Sequence, residues 1–339
     1  MAGMTQSDRQ KFERLTETLS RNFRWTRLQA LYLEHFPEVI DAELVDSICE
    51  SGIPKESAIA ALLCQILGLD TEGSAEDRLL YRDYTIPSVR IMDANKYRSD
   101  PYYKNVKIPN VKEENWELRR EAYEPYRAVV CADMQVKGDL TEIAPLGFFT
   151  ERFEFPAVLE DGNEWMTLTP VDMDTCEDAI KVARGKVVTF GLGLGYYTYM
   201  AALKPEVESV TVIERSEKVI KLFRDYIFPY FPYPEKIRII NEDAFQYAEH
   251  EMPRESFDIA FVDIWRDASD GALAYKRMLP LEKLSPKTEF LYWIEEFILS
   301  RLRSQKYGKL AELYERGELD MSFDEIMNEL TNREKLILP

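Results

Sequence analysis

Apolar and polar positions change rhythm twice along the chain. Up to about residue 92 the apolar residues recur three and four apart. In "SDRQKFERLTETLSRNF" they fall at Phe12, Leu15 and Leu19, the spacing of one buried helix face. "PKESAIAALLCQILGLD" opens on Pro54 and closes near Gly68. That predicts a helix between them, because proline suits the first helical turn and glycine the position past the last. "SAED" at 74–77 has the form of a capping box, with Asp77 in the place of glutamate. Residues 1–92 form a helical N-terminal region without a catalytic pattern, suited to packing on the rest of the chain or on a second copy of it.

Over 93–170 the rhythm shortens. Short β-like runs ("RAVVCADM", "FFTERFEF", "EWMTLTP") are separated by the turn signals Gly138-Asp139 and Asp161-Gly162. The expectation is a small antiparallel β segment. From 171 to 294 strands and helices alternate. The predicted strands are 186–190, 208–213, 236–241, 257–263 and 289–294; the predicted helices are 172–183, 196–204, 216–228, 244–251 and 270–280. Such alternation predicts an α/β fold, a doubly wound and mostly parallel sheet whose ligands sit at the carboxyl ends of the strands. Residues 295–339 read as a helical C-terminal extension broken at Gly308 and Gly317.

Composition narrows the class. The 339 residues are 45% hydrophobic and 12% aromatic, enough for a real core, and carry a net charge of −18. A surface of that sign repels phosphate backbones, so no nucleic-acid partner is expected. It favours a neutral or cationic small molecule, although acidity also serves solubility alone. Cys49, Cys64, Cys131 and Cys176 are scattered, and His35 and His250 are the two histidines. That leaves no zinc-ligand spacing and no histidine-driven nucleophile, so no metal site is expected. There is no apolar signal core and no membrane-length apolar run, so a cytoplasmic location is the expectation.

Candidate chemistry lies at the predicted strand ends. After the first come Gly191, Gly193 and Gly195, whose missing Cβ atoms let a backbone approach a ligand ahead of a helix N-terminus. They serve tight packing equally well. The second ends at Glu214, 19 residues past Gly195. A carboxylate there can accept both hydroxyls of a ribose or lie beside a helix cap. The third ends at Asp243, which can accept an adenine amine, cap the next helix, or both, with Ala244 and Phe245 as an apolar wall. The fourth ends in "FVDIWRD", with Asp263 placed to orient an acceptor or take its proton, and with Trp265 and Asp267 beside it. Trp165 either walls the pocket, stacking on a cationic acceptor, or packs in the core.

"VVTFGLGLGYYTYMA", "VTVIERS", "NEDAFQYA" and "FDIAFVDIW" resemble the successive motifs of class I S-adenosylmethionine-dependent methyltransferases, and within them the spermidine-synthase-like branch. The resemblance covers about residues 155–295. It implies a Rossmann-like domain, S-adenosyl-L-methionine as cofactor, the glycine turn at its methionine part, Glu214 at the ribose and Asp243 at the adenine. Two departures separate the chain from true aminopropyltransferases. Leu194 stands where their turn carries an aspartate for the amine, and "VDMDTCEDAI" lacks the tyrosine and histidine of their Asp-Glu-x-x-Tyr-His-Glu run. Thr189 replaces the acid that many methyltransferases carry before the first glycine. The resemblance therefore implies a methyltransferase acting on a small, unidentified acceptor. An aminopropyltransferase-like enzyme and a non-catalytic nucleoside-binding or assembly protein remain as alternatives. A nicotinamide dehydrogenase has a different fingerprint, G-x-G-x-x-G, where this turn is G-x-G-x-G followed by Tyr196.

Overall fold

The computed structural model describes residues 4–338. They divide into two compact units. One is built from 4–92, 124–151 and 296–338, the other from 93–123 and 152–295. Residues 93–170, continuous in sequence, are thus shared between them.

The second unit carries the alternating pattern. Its strands are Gly185–Phe190, Val207–Glu214, Ile237–Asn241, Ile259–Val262 and Glu289–Tyr292, each within a few residues of its predicted position. All pair in parallel, in the order third, second, first, fourth, fifth. Val187 lies opposite Val210 on one side and Ile259 on the other. The central strands are buried on both faces, which is why they read as apolar runs without alternation. Helices Tyr196–Leu203, Glu217–Tyr226 and Ala268–Met278 and the short Ala244–Gln246 supply the crossovers that parallel pairing needs. The sheet is Rossmann-like. Its order reverses between the first and fourth strands, the switch point at which such sheets hold ligands.

A four-stranded antiparallel sheet in the same unit joins Val111–Glu113, Trp116–Tyr123, Phe153–Glu160 and Asn163–Thr167. The Asp161-Gly162 turn connects its last two strands, with positive φ at both residues. "RAVVCADM" does not join it. Ala128–Val130 pairs with Leu146–Phe149 in the other unit, and Val89–Met92 adds a parallel strand from the region expected to be helical. Local turn chemistry does not reveal which distant edge a short strand will take.

In the first unit the helix Gln6–His35 buries Phe12, Leu15, Asn22, Trp25, Gln29 and Tyr32 along one stripe. Asn22 and Gln29 donate to the Leu140 and Ala144 carbonyls at 2.7 and 2.9 Å. At 74–77 half of the expected capping box forms. Ser74 accepts the Asp77 N–H, but the Asp77 carboxylate turns to Arg24 and to the Asp70 N–H. Gly308 does not break the last long helix, which runs from Glu295 to Glu315. Gly317, at φ +69°, lies just beyond its end.

Arg303 on that helix is buried against Glu142 and donates through Nε to the Leu330 carbonyl, while Ser300 donates to the other Glu142 oxygen. Removing one member of such a pair strands a buried charge. Arg303→Met is expected to destabilise the protein by about 3–5 kcal/mol. The shift of its urea midpoint measures this, and an unchanged midpoint would mean that Glu142 is satisfied without the guanidinium.

Candidate functional site

The carboxyl edge of the parallel sheet opens into a cavity of about 770 Å³. Its wall takes one contribution from each strand end: the turn 191–194, then Glu214 with Arg215, then Asp243–Phe245, then Asp263–Arg266, and finally Trp293. Residues 164–168 of the antiparallel sheet, with Asp172 and Cys176 of the helix Pro170–Val182, form the facing side.

The three glycines divide into different roles. Gly191 has φ +95°, and a Cβ there would overlap the Asp263 carbonyl oxygen. Gly195, at φ +78°, is the left-handed N-cap of the helix Tyr196–Leu203, and a Cβ there would run into the Phe223 ring. Gly195 does not line the cavity, so the direct ligand contact expected of it is corrected to a packing role. Gly193, at φ +54°, borders open space: an added Cβ would meet nothing nearer than the Met166 sulfur at 3.9 Å. The Gly191 and Gly195 N–H groups donate to the Ile213 and Leu192 carbonyls, whereas that of Gly193 has no acceptor among the described residues.

Glu214 braces this turn. Its Oε2 accepts the Leu192 N–H at 3.1 Å and its Oε1 accepts the Ser216 N–H at 2.8 Å. Each oxygen keeps a further lone pair for a ligand hydroxyl. Asp243 caps the next helix through Oδ1, which accepts the Phe245 and Gln246 N–H groups at 3.0 and 3.1 Å. Its Oδ2 has no partner among the described residues, so capping and ligand binding are compatible in one residue. Ala244 and Phe245 line the cavity beside it, and the Arg277 guanidinium lies 3.8 Å from the Phe245 ring centre.

Asp263 is half-buried at the switch point. Burial, then the Asp172 and Glu214 carboxylates, pushes its carboxyl up to about 8. Asp172, absent from the expected site, is pushed up to about 6, mainly by burial. Its Oδ2 accepts the Thr169 N–H and hydroxyl at 2.7 and 2.8 Å, a capping box that opposes the rise. Burial, with the nearby Asp263 and Asp172 charges, holds the Cys176 thiol far up its range, so it is a neutral wall rather than a nucleophile. Trp265 lines the cavity and stacks on Tyr292, ring centres 6.3 Å apart. Asp267 does not line it; the side chain caps the helix Ala268–Met278 by accepting the Ser269 N–H at 2.6 Å. The substrate contact expected of Asp267 is therefore corrected to a cap. Trp165 stands on the wall, 37% exposed and edge-on to Trp116, outside the core.

The sequence reading missed Asp172, Tyr197 and Arg266. The capping-box spacing Thr169-x-x-Asp172 was a signal for the first. Tyr197 lies within the glycine-turn motif and Arg266 directly follows "FDIAFVDIW".

No protein-family model matches the chain, and no curated protein matches it. Among solved structures it is similar to spermidine synthase from Thermotoga maritima, with 17% identity and a TM-score of 0.28 over 38% of this chain and 49% of that one. It is also similar to a protein assigned as an S-adenosylmethionine-dependent methyltransferase from Streptococcus mutans, with 16% identity and a TM-score of 0.29 over 38% and 36%. A spermidine synthase in complex with the transition-state analogue AdoDATO matches at 16% identity and a TM-score of 0.28 over 38% and 48%. The matched region spans half or less of each of these structures. Among the described residues no helix is long and apolar enough to cross a membrane.

Proposed function

We propose that this chain transfers a methyl group from S-adenosyl-L-methionine to a small-molecule acceptor. What carries the reading is the convergence of the Gly191–Gly193 backbone, Glu214 and Asp243 on one cavity of nucleoside-accommodating size at the switch point. The residues fit the cofactor. The Gly193 N–H suits its carboxylate, the remaining Glu214 lone pairs its ribose hydroxyls, and the Asp243 Oδ2 its adenine amine beside Ala244 and Phe245. When bound, the sulfonium supplies an electrophilic methyl carbon. The protein's part is alignment and proton handling. Asp263, next to Gly191, orients the acceptor and takes its proton, and Trp165 and Trp265 wall the acceptor side. The apolar Leu194 where an amine-binding acid would stand disfavours the aminopropyl alternative.

Calorimetry with S-adenosylmethionine, S-adenosylhomocysteine and NAD tests this reading. Binding of the first two is expected; binding of NAD alone overturns it. Glu214→Ala is expected to weaken S-adenosylhomocysteine by about 1–3 kcal/mol through lost ribose bonds. Unchanged affinity in the folded variant would place the ribose elsewhere. Turnover of labelled cofactor against a metabolite extract separates an enzyme from a non-catalytic binder.

A further inference from the structure

The acceptor side carries charges of both signs. At one end stand Asp172, on the helix Pro170–Val182, and Asp263, just past its strand, with Cys176 of the same helix and Tyr197 of the helix Tyr196–Leu203 on the wall beside them. Among the described residues Asp172 Oδ1 has no hydrogen-bond partner, its two bonds running to Oδ2, and the Tyr197 hydroxyl, on a residue 6% exposed, has none either. At the other end is the loop that follows Asp263. Among the described residues the Trp265 indole N–H has no partner, on a residue 7% exposed, and both Trp265 and Arg266 line the cavity. The acids next to Arg266 are already committed. Asp267 accepts from Ser269, and Asp270 accepts the Arg266 and Asp267 N–H groups to start the helix. Arg266 is exposed and, among the described residues, makes no ion pair, although its charge helps to lower the Asp267 carboxyl; Arg215 and Arg277 are the other cations on the cavity wall.

We propose that the acceptor is a small zwitterion of the amino-carboxylate class, its ammonium held between Asp172 and Asp263 and its carboxylate by Arg266 and the Trp265 indole N–H. This rests on the methyltransferase reading and adds the acceptor's chemistry to it. A buried donor without an acceptor is unfavourable, and a ligand oxygen at Trp265 removes that deficit. The fork of one guanidinium matches one planar carboxylate in charge and shape. A diamine would leave Arg266 opposed to a cation, and a simple acid would be repelled by the Asp172–Asp263 end. The raised carboxyl of Asp263 fits the same arrangement, since an arriving ammonium replaces its proton. The cofactor's own carboxylate does not need Arg266, because the Gly193 N–H is free for it.

The test uses the full-length protein saturated with S-adenosylhomocysteine. Calorimetry follows the binding of three matched probe sets: the standard amino acids, the amines left when their carboxyl groups are removed, and the acids left when their amino groups are removed. The amino acids are expected to contain the tightest ligand. Arg266→Ala is expected to weaken that ligand about tenfold or more without changing S-adenosylhomocysteine affinity, and Arg266→Lys to recover part of the loss. Amines that bind as tightly as amino acids overturn the proposal, as does the absence of binding from all three sets. So does an Arg266→Ala variant that loses S-adenosylhomocysteine but keeps 5′-methylthioadenosine, because the guanidinium would then serve the cofactor's carboxylate. Failure of the wild-type protein to bind S-adenosylhomocysteine is a different result; it removes the methyltransferase reading itself.

Discussion

Asp263→Asn is expected to lower kcat by about 10²–10⁴-fold, the usual contribution of a positioned general base, and to leave S-adenosylhomocysteine affinity close to that of the wild type. The pH dependence sharpens the expectation. With the carboxyl pushed up to about 8, the basic form is the minority at neutral pH in the empty site. Turnover of the wild-type protein should therefore rise with pH and level off near or somewhat below pH 8, since a bound cation favours the ionised carboxylate. The asparagine variant should lose that rise. The same substitution should act on stability in the opposite direction. Between the ordinary carboxyl range near 4 and its folded value near 8, the folded protein holds a proton that the unfolded chain releases. Folded Asp263 is thus a growing liability as pH rises through that window, and the liability is complete above it. Asparagine cannot ionise, so the variant should gain in melting temperature over the wild type from pH 5 to pH 8, with little difference at pH 4. Full turnover in the variant removes the base role, and a melting difference that does not change with pH removes the raised carboxyl.

Much of this site could be read from residues that end strands. Gly191, Glu214 and Asp263 each follow an apolar run directly, Asp243 follows one after Asn241 and Glu242, and in a parallel sheet every such end lies on the same edge. Their convergence needs only the strand assignments to hold within a residue or two, and they do. Asp172 was hidden for the opposite reason. It sits in the first turn of a helix that precedes the first strand, so its approach to Asp263 depends on how that helix lies along the sheet; its local context signals a cap, and "VDMDTCEDAI" lacks the tyrosine and histidine that would have marked the stretch as acceptor-binding. Gly195 and Asp267 were overread because the residue types that cradle ligands are also those that start helices. Spacing alone does not say which way a Cβ or a carboxylate points. The division of 93–170 was invisible for a related reason: "RAVVCADM" and "FFTERFEF" carry good local β signals, but pairing is decided by distant edges, and Phe148–Phe149 and Phe153–Phe155 enter different sheets.

The glycine turn yields a contrast that separates fold from function two residues apart. Gly191→Ala places a Cβ against the Asp263 carbonyl oxygen, which is backbone held in the neighbouring strand end and cannot swing away, and it does so at φ +95°, where L residues are strained. Strain of that kind costs about 1–3 kcal/mol before the overlap is counted. The expected result is a loss of more than about 3 kcal/mol, a protein that melts early or fails to accumulate. Gly193→Ala differs in both respects. Its φ of +54° lies in the left-handed helical region, where alanine is disfavoured by only about 1–2 kcal/mol, and its Cβ would meet nothing nearer than the Met166 sulfur at 3.9 Å. That variant should fold with a modest drop in melting temperature. Its methyl group enters the cavity beside the free Gly193 N–H, so S-adenosylhomocysteine should bind about tenfold or more weakly. Thermal unfolding and calorimetry on the two variants read the contrast directly. Equal stability losses would mean that the Asp263 strand end yields to a side chain. Unchanged affinity in Gly193→Ala would mean that the cofactor does not approach this turn, and the assignment of the cavity to an adenosyl sulfonium would fall with it.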